Sequence, residues 1–489
     1  MKIFKLSFPD IDRGESRQYH ASGWLTIVGV CRYWRAVAFS AGIFWTDIVF
    51  HPMRCAEVML ERAGSAPLSI YYNFGWNYVL TASDEETVEL ALRQMHHVQD
   101  IELHGPGMVV CSLTQMMTQP APILQSLKLV PNTDLGGLGR SMLSNELFSG
   151  QAPQLRSLDL SMMSISMASP VLTHLSYLSL LDIPVKLSFT EAELLTRLQS
   201  LPQLECLRIR YVFPGPPSSA GTQDNLLPKG LVTLPNLAKL SVCSSSLYSA
   251  TVMRYLEVPS STKMWLGVSD KDLSIIAPIA PQFIDPFGRP PIDRVDIIFE
   301  ASNGSWQVKM RAFPDNDATD DPHAFTFVFS AYVPPRKQCT TIGMALQNLS
   351  LSSVRMLRIT LPETNSSRFH FESEGWHMIL QHFTALEDLE LCGTLSFEIG
   401  IALVRRSGQY EPATAFPALH TLRIPELHFK PNDSLFVDGV VLLVDTWIHR
   451  AFLRFVRQCP QEINLVVEGW SISRDVYMAV VLGPGDADR

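Results

Sequence analysis

The residues with most chemistry to offer cluster in "HHVQDIELHG", where His96, His97 and His104 stand close to Asp100 and Glu102. Imidazole nitrogens and carboxylate oxygens bind transition metals, and the same pairing serves acid–base catalysis. The run from Val98 to Leu103 has the alternation of a strand, however, and on a strand Gln99, Glu102 and His104 do not share one face. A second candidate, "DNDATDD" from Asp315, has the carboxylate density of a calcium loop. Its sixth position is Asp320 where such a loop needs glycine, and its twelfth is Thr326 where it needs glutamate. His377 and His382 are five apart on an expected helix, a poor spacing for two ligands on one face. No glycine-rich phosphate loop, H-E-x-x-H or G-x-S-x-G occurs. The sequence therefore predicts no catalytic residue, no metal site and no cofactor, and the chain is expected not to be an enzyme.

Composition narrows the partners. Of 489 residues, 46% are hydrophobic and 18% charged, which suits a chain that folds around cores. A net charge of −9 without a basic run argues against nucleic acid, whose phosphates demand clustered Lys and Arg. Apolar runs such as Val440 to Val444 are far short of a membrane span. The eight cysteines are scattered with no C-x-x-C pair, so reduced thiols and a cytoplasmic or nuclear location are expected.

What must position any binding residues is a recurring pattern, apolar-x-x-apolar-x-apolar. It begins at Val98, Leu124, Leu155, Leu175, Leu204 and Leu237, and again at Val354, Leu386 and Leu419. The steps are 26, 31, 20, 29 and 33 residues, then 32 and 33 after Val354, with a weaker copy from Ile292 in the gap. Proline stands two residues before the first leucine at Pro122, Pro153, Pro202, Pro235 and Pro417, as suits the end of a loop entering a strand. Each x-x-L-x-L reads as a short strand with alternate residues facing inward. Stacked copies would bury one another's apolar edges, so the fold class expected is α/β, an irregular leucine-rich-repeat-like solenoid, or horseshoe, over 51–489. A helix is predicted from Thr190, with Glu193 completing a capping box. The segment around 292–333 reads as β-rich.

The N-terminal fifty residues differ. From Trp24 to Phe39 the apolar positions 24, 27, 28, 31, 34, 37 and 38 step by three and four, predicting a helix. "FSAG" ends it and Ile43 to Trp45 return to pack on it. "RCAEVMLERAG" then reads as a second helix stopped at Gly64, and a strand begins near Leu68. "VCRYWRAVAFSAGIFW" resembles the second half of an F-box: Val30, Cys31, Arg32, Trp34 and Arg35 match its pattern, Ala38 fits the small helix position, and Phe44-Trp45 stands for the closing pair. With "MLERAGSAPLSI" and the repeats, the chain resembles fungal F-box proteins with leucine-rich repeats. Members open with a leucine-proline segment and an acidic first helix, so residues 1–50 are expected to hold an F-box truncated at its N-terminus.

That resemblance implies docking onto the Skp-type adaptor, and through it the cullin, of an SCF ubiquitin ligase, while the repeats hold a protein substrate. It implies adaptor contacts at Trp24, Val28, Val30, Cys31, Trp34, Arg35, Phe44 and Trp45. Substrate contacts are expected at residues lying between the inward leucines, among them Arg156, Asp159, Arg208, Arg210, Arg358, Glu390 and Arg423. These mix both signs, so the list alone does not reveal the partner's charge. The competing expectations are an interaction scaffold with no ligase role, or a truncated product that cannot bind the adaptor.

Overall fold

The computed structural model describes residues 29–48, 53–73, 82–132, 142–213, 230–268, 292–302, 305–314, 327–332, 343, 346, 351–361, 373–392, 416–424, 434–437, 440–443, 463–467 and 470–472. The chain forms two compact units, the first comprising residues 1–239 with 255–259, the second 240–254 with 260–489.

The first unit starts with helix α1 (Arg32–Ser40), a 3₁₀ turn over Gly42–Trp45 and helix α2 (Met53–Ala63). Gly64, at φ +58°, ends α2 in the left-handed conformation that glycine adopts at least cost. Strand β1 (Leu68–Asn73), helix α3 (Ala82–Leu92), strand β2 (Val98–Pro106), helix α4 (Gly107–Gln115) and strand β3 (Ser126–Asn132) follow. Next come β4 (Ser157–Ser161), β5 (Tyr177–Leu181), helix α5 (Glu191–Gln199) and β6 (Cys206–Arg210). Strands β1 to β6 pair in chain order, all parallel. A short pair, β7 (Val232–Thr233) with β9 (Leu256–Glu257), completes the unit.

A common device enters these strands. The leucine that opens four of the copies donates its N–H to the carbonyl three residues back, Leu124 to Ala121, Leu155 to Ala152, Leu204 to Leu201 and Leu237 to Leu234, at 3.1–3.3 Å. Proline therefore sits at the second position of a β-turn, where its fixed φ costs nothing. The strand starts two residues later, and its alternate side chains, such as Leu158 and Leu160, are buried. At upper-bound area bookkeeping each such leucine contributes about 2–3 kcal/mol.

Strand β8 (Lys239–Ser244) crosses the division between the units, and helix α6 (Ser246–Tyr255) follows it. The second unit holds β10 (Lys263–Val268), β11 (Ile292–Ser302), β12 (Ser305–Pro314) and β13 (Phe327–Tyr332). It continues with β14 (Met356–Thr360), helix α7 (Ser373–Leu380), β15 (Asp388–Cys392), β16 (Thr421–Ile424), β17 (Ser434–Val437), β18 (Val440–Leu443), β19 (Asn464–Val467) and β20 (Trp470–Ile472). Here β11, β12 and β13 form an antiparallel meander, flanked by β10 parallel to β13 and by the parallel run β11, β14, β15, β16, β19. Its core includes Trp376 edge-on to Phe299 at 5.5 Å between ring centroids.

The expected leucine-rich-repeat-like solenoid, or horseshoe, is thus corrected. The fold is mixed α/β around extensive parallel sheet. Turn and strand recur, but the path between strands does not: α3 and α4 are full helices, whereas the described residues of the β3–β4 and β4–β5 connections carry 3₁₀ turns at Leu147–Gly150 and Pro170–Leu172. An antiparallel meander also interrupts the second run. The N-terminal helical segment is joined to the sheet where Ser69 of β1 donates its N–H to the Thr46 carbonyl at 3.0 Å.

Candidate interaction surfaces

Two surfaces can act on a partner. The first lies on α1. The helix begins at Arg32, later than its apolar spacing predicts: Cys31 has extended dihedrals and caps the helix, its Sγ accepting from the Trp34 N–H at 3.4 Å. Gly29 just upstream, in a turn, disfavours helix on entropic grounds. Trp24 and Val28 lie outside the described residues.

Trp45 anchors this segment from within. It is 5% exposed and donates its indole N–H to the Ala38 carbonyl at 2.8 Å. Its ring lies 5.7 Å from that of Phe39, and the Arg62 guanidinium covers both. Gly42 is required here by close approach, since a Cβ would meet the Ala63 carbonyl oxygen at 2.6 Å. The other side of α1 faces outward: Val30 is 61% exposed, Tyr33 74% and Ile43 55%, with Trp34 and Phe44 half-buried and Arg35 and Cys31 exposed. Tyr33, Trp34 and Val37 fall on one helical stripe, with Val30 in the turn just ahead of it. Tyr33 escaped the sequence reading because it occupies a variable position of the motif that drew attention to its neighbours.

The second surface is the outward face of the strands. In the first unit, register brings Glu102, Lys128, Asp159, Ser179 and Arg208 into one row across β2 to β6. Glu102 is its best-connected member, with one carboxylate oxygen 2.8 Å from His104 Nε2 and 2.7 Å from Lys128 Nζ. Burial alone would raise the Glu102 carboxyl, but the hydrogen bonds from His104 and Lys128 and their charges outweigh it and hold the group at about 2. Asp159 Oδ1 and the wholly buried Ser179 Oγ make no hydrogen bond within the protein. Arg208 is exposed and donates Nη1–H to the Tyr177 hydroxyl at 3.2 Å. Arg210 pairs with Asp182, and Arg156 donates to the Pro153 and Leu155 carbonyls.

In the second unit the corresponding row is Asp296, Arg358, Glu390 and Arg423. Arg358 approaches Glu390 to 3.2 Å and Arg423 approaches Asp388 to 3.8 Å.

The histidines divide. His104 joins the Glu102 cluster, whereas His97 is buried with Nδ1 2.9 Å from His96 Nε2. Burial, reinforced by the His96 charge, pushes the His97 imidazole below its ordinary value. Among the described residues no group of three or more His, Cys, Asp or Glu is placed to hold a metal ion. The "DNDATDD" stretch lies outside them. No described helix is long and apolar enough to cross a membrane.

No protein-family model matches the chain, and no curated protein matches it.

Proposed function

We propose that the chain is a substrate receptor of an SCF-type ubiquitin ligase, with the α1 segment docking a Skp-type adaptor and the outward strand face holding a protein substrate. It is a binding subunit and catalyses nothing itself. The observation that carries the reading is the exposed Tyr33 of α1, with exposed Val30 just ahead of the helix and exposed Ile43 just beyond it, in a segment whose internal packing is already satisfied by Trp45. Solvent-facing aromatic surface on a rigid support is what a protein interface selects, and a few such side chains dominate its affinity. Its setting in "VCRYWRAVAFSAGIFW" supplies the identity of the partner through the F-box resemblance. Cytoplasmic or nuclear residence accords with free thiols at Cys31, Cys55, Cys111, Cys206, Cys243 and Cys392.

The test is capture of purified adaptor by the full chain and by a Val30→Ala/Tyr33→Ala variant. Both side chains are exposed, so the variant should keep its circular dichroism. Adaptor capture by the wild type and a loss of about tenfold or more in the variant are expected. Absent capture by the wild type, or undiminished capture by the variant, would overturn the proposal.

A further inference from the structure

The outward charges of the strand face cancel unevenly. Lys128 is matched by Glu102, Arg210 by Asp182, Arg294 by Asp296, Arg355 by Asp293, Arg358 by Glu390 and Arg423 by Asp388. Among the described residues of the first unit's strand face, Arg156, Arg208 and Lys239 have no carboxylate at ion-pair distance. Arg156 is occupied by two backbone carbonyls. Arg208 and Lys239 remain. In the second unit Lys263 and Arg311 are likewise unmatched, but β13 runs between their strands.

Arg208 and Lys239 are brought together by the backbone. Lys239 donates its N–H to the Glu205 carbonyl at 3.0 Å, repeating the bond by which Cys206 joins the Ser176 carbonyl, so Lys239 comes beside Cys206. Arg208 stands two residues along the same strand face. Burial pushes the Cys206 thiol up, with the charges of Arg208 and Lys239 acting against that shift and the charge of Asp159 adding to it. The Tyr177 hydroxyl accepts from Arg208 Nη1 and so holds the guanidinium in one orientation. Asp159 and Glu205 are the nearby carboxylates, and neither forms an ion pair with Arg208 or Lys239.

We propose that Arg208 and Lys239, with Tyr177 orienting the guanidinium, form a subsite for a carboxylate side chain of an acidic partner peptide. A planar guanidinium fork matches a carboxylate through two parallel N–H···O bonds, and an ammonium beside it adds an unoriented positive charge. The chain's net charge of −9 opposes general attraction of a polyanion, so binding there is a local property. This names the substrate chemistry of the strand face in the receptor reading and rests on that reading only for its biological setting.

The experiment uses fluorescence anisotropy of a labelled hexaglutamate peptide with the full chain and no adaptor. Binding that weakens with added salt is expected, as is a drop of about tenfold in affinity for Arg208→Gln and again for Lys239→Gln. Arg93→Gln, which lies outside the strands and whose cation stands 3.7 Å from Glu89, should bind like the wild type. Circular dichroism melts establish that each variant is folded. Equal binding of hexalysine, undiminished binding by the Arg208→Gln/Lys239→Gln double variant, or no binding at low salt would each overturn the subsite. Preference of more than tenfold for a phosphoserine peptide of equal charge would overturn the carboxylate assignment in favour of phosphate. Failed adaptor capture with hexaglutamate binding retained would sink only the ligase reading.

Discussion

In the second unit the row Asp296, Arg358, Glu390, Arg423 alternates in sign over four neighbouring strands. The first unit's row alternates through Glu102, Lys128 and Asp159, then meets Ser179 before Arg208. Alternation puts opposite charges on directly adjacent strands, which favours the observed register and leaves little field outside the sheet. The serine interrupts that cancellation. The four-residue row of the second unit therefore cancels internally, while that of the first ends in a cation that can serve a partner.

This contrast can be broken at several energies. The largest test asks whether the two units are independent at all. Leu178→Ala and Leu389→Ala each empty a wholly buried site and should cost about 3 kcal/mol. In urea unfolding followed by circular dichroism, each variant should shift only its own unit's transition. A common shift of a single transition would mean that the units unfold together.

Acid supplies the second test. The Glu102 carboxyl is held at about 2 against an ordinary value of 4.5. A depressed folded-state value contributes stability that is complete above 4.5 and is lost as pH falls toward 2. Allowing for solvent screening, about 1–2 kcal/mol of the first unit's stability should disappear over that window. Glu102→Gln should flatten this part of its stability–pH curve.

A smaller effect is expected at α5, a connection belonging to the first unit alone. Thr190 Oγ1 accepts from the Glu193 N–H, and the Glu193 carboxylate accepts in return from the Thr190 N–H at 2.8 Å. Thr190→Ala should lower the first unit's unfolding midpoint by an amount worth about 1 kcal/mol. The smallest effect belongs to Arg423→Gln, since Arg423 and Asp388 are 3.8 Å apart and partly exposed. Thermal melts should register about 0.5 kcal/mol or less.

These elements differ in how plainly the sequence announces them. Strand positions were legible because alternate leucines and a turn proline are local requirements, and so was the Thr190 capping box. The start of α1 was not, because the apolar spacing continues through Gly29 while capping by Cys31 overrides it. The return paths were also hidden, since a connection has to span between strands but need not keep a periodic pattern. The residues expected to touch a substrate lie on the outward face, but the sequence could not sort Arg208 from Arg210 or Arg423. Pairing joins residues such as Asp182 and Arg210 that are distant in the chain, and no spacing records it. Tyr177 and Lys239 were missed for the same reason, although both occupy outward positions of the repeated pattern. Among the adaptor contacts implied by the resemblance, Trp45 is spent on internal packing, while the unremarked Tyr33 is the more accessible.

The chain leaves β4, β5 and β6 through Met162, Asp182 and Tyr211, each at a φ between 49° and 55° without being glycine. The Met162 N–H bonds to the Leu181 carbonyl and the Asp182 N–H to the Arg210 carbonyl, so the first two exits are fastened to the end of the next strand. Opening at β6 frees the acceptor that protects the Asp182 amide, and loosening at β5 then exposes that of Met162. Hydrogen exchange at these two amides should consequently accelerate in sequence, with Asp182 leading, when the exit at Tyr211 is disturbed.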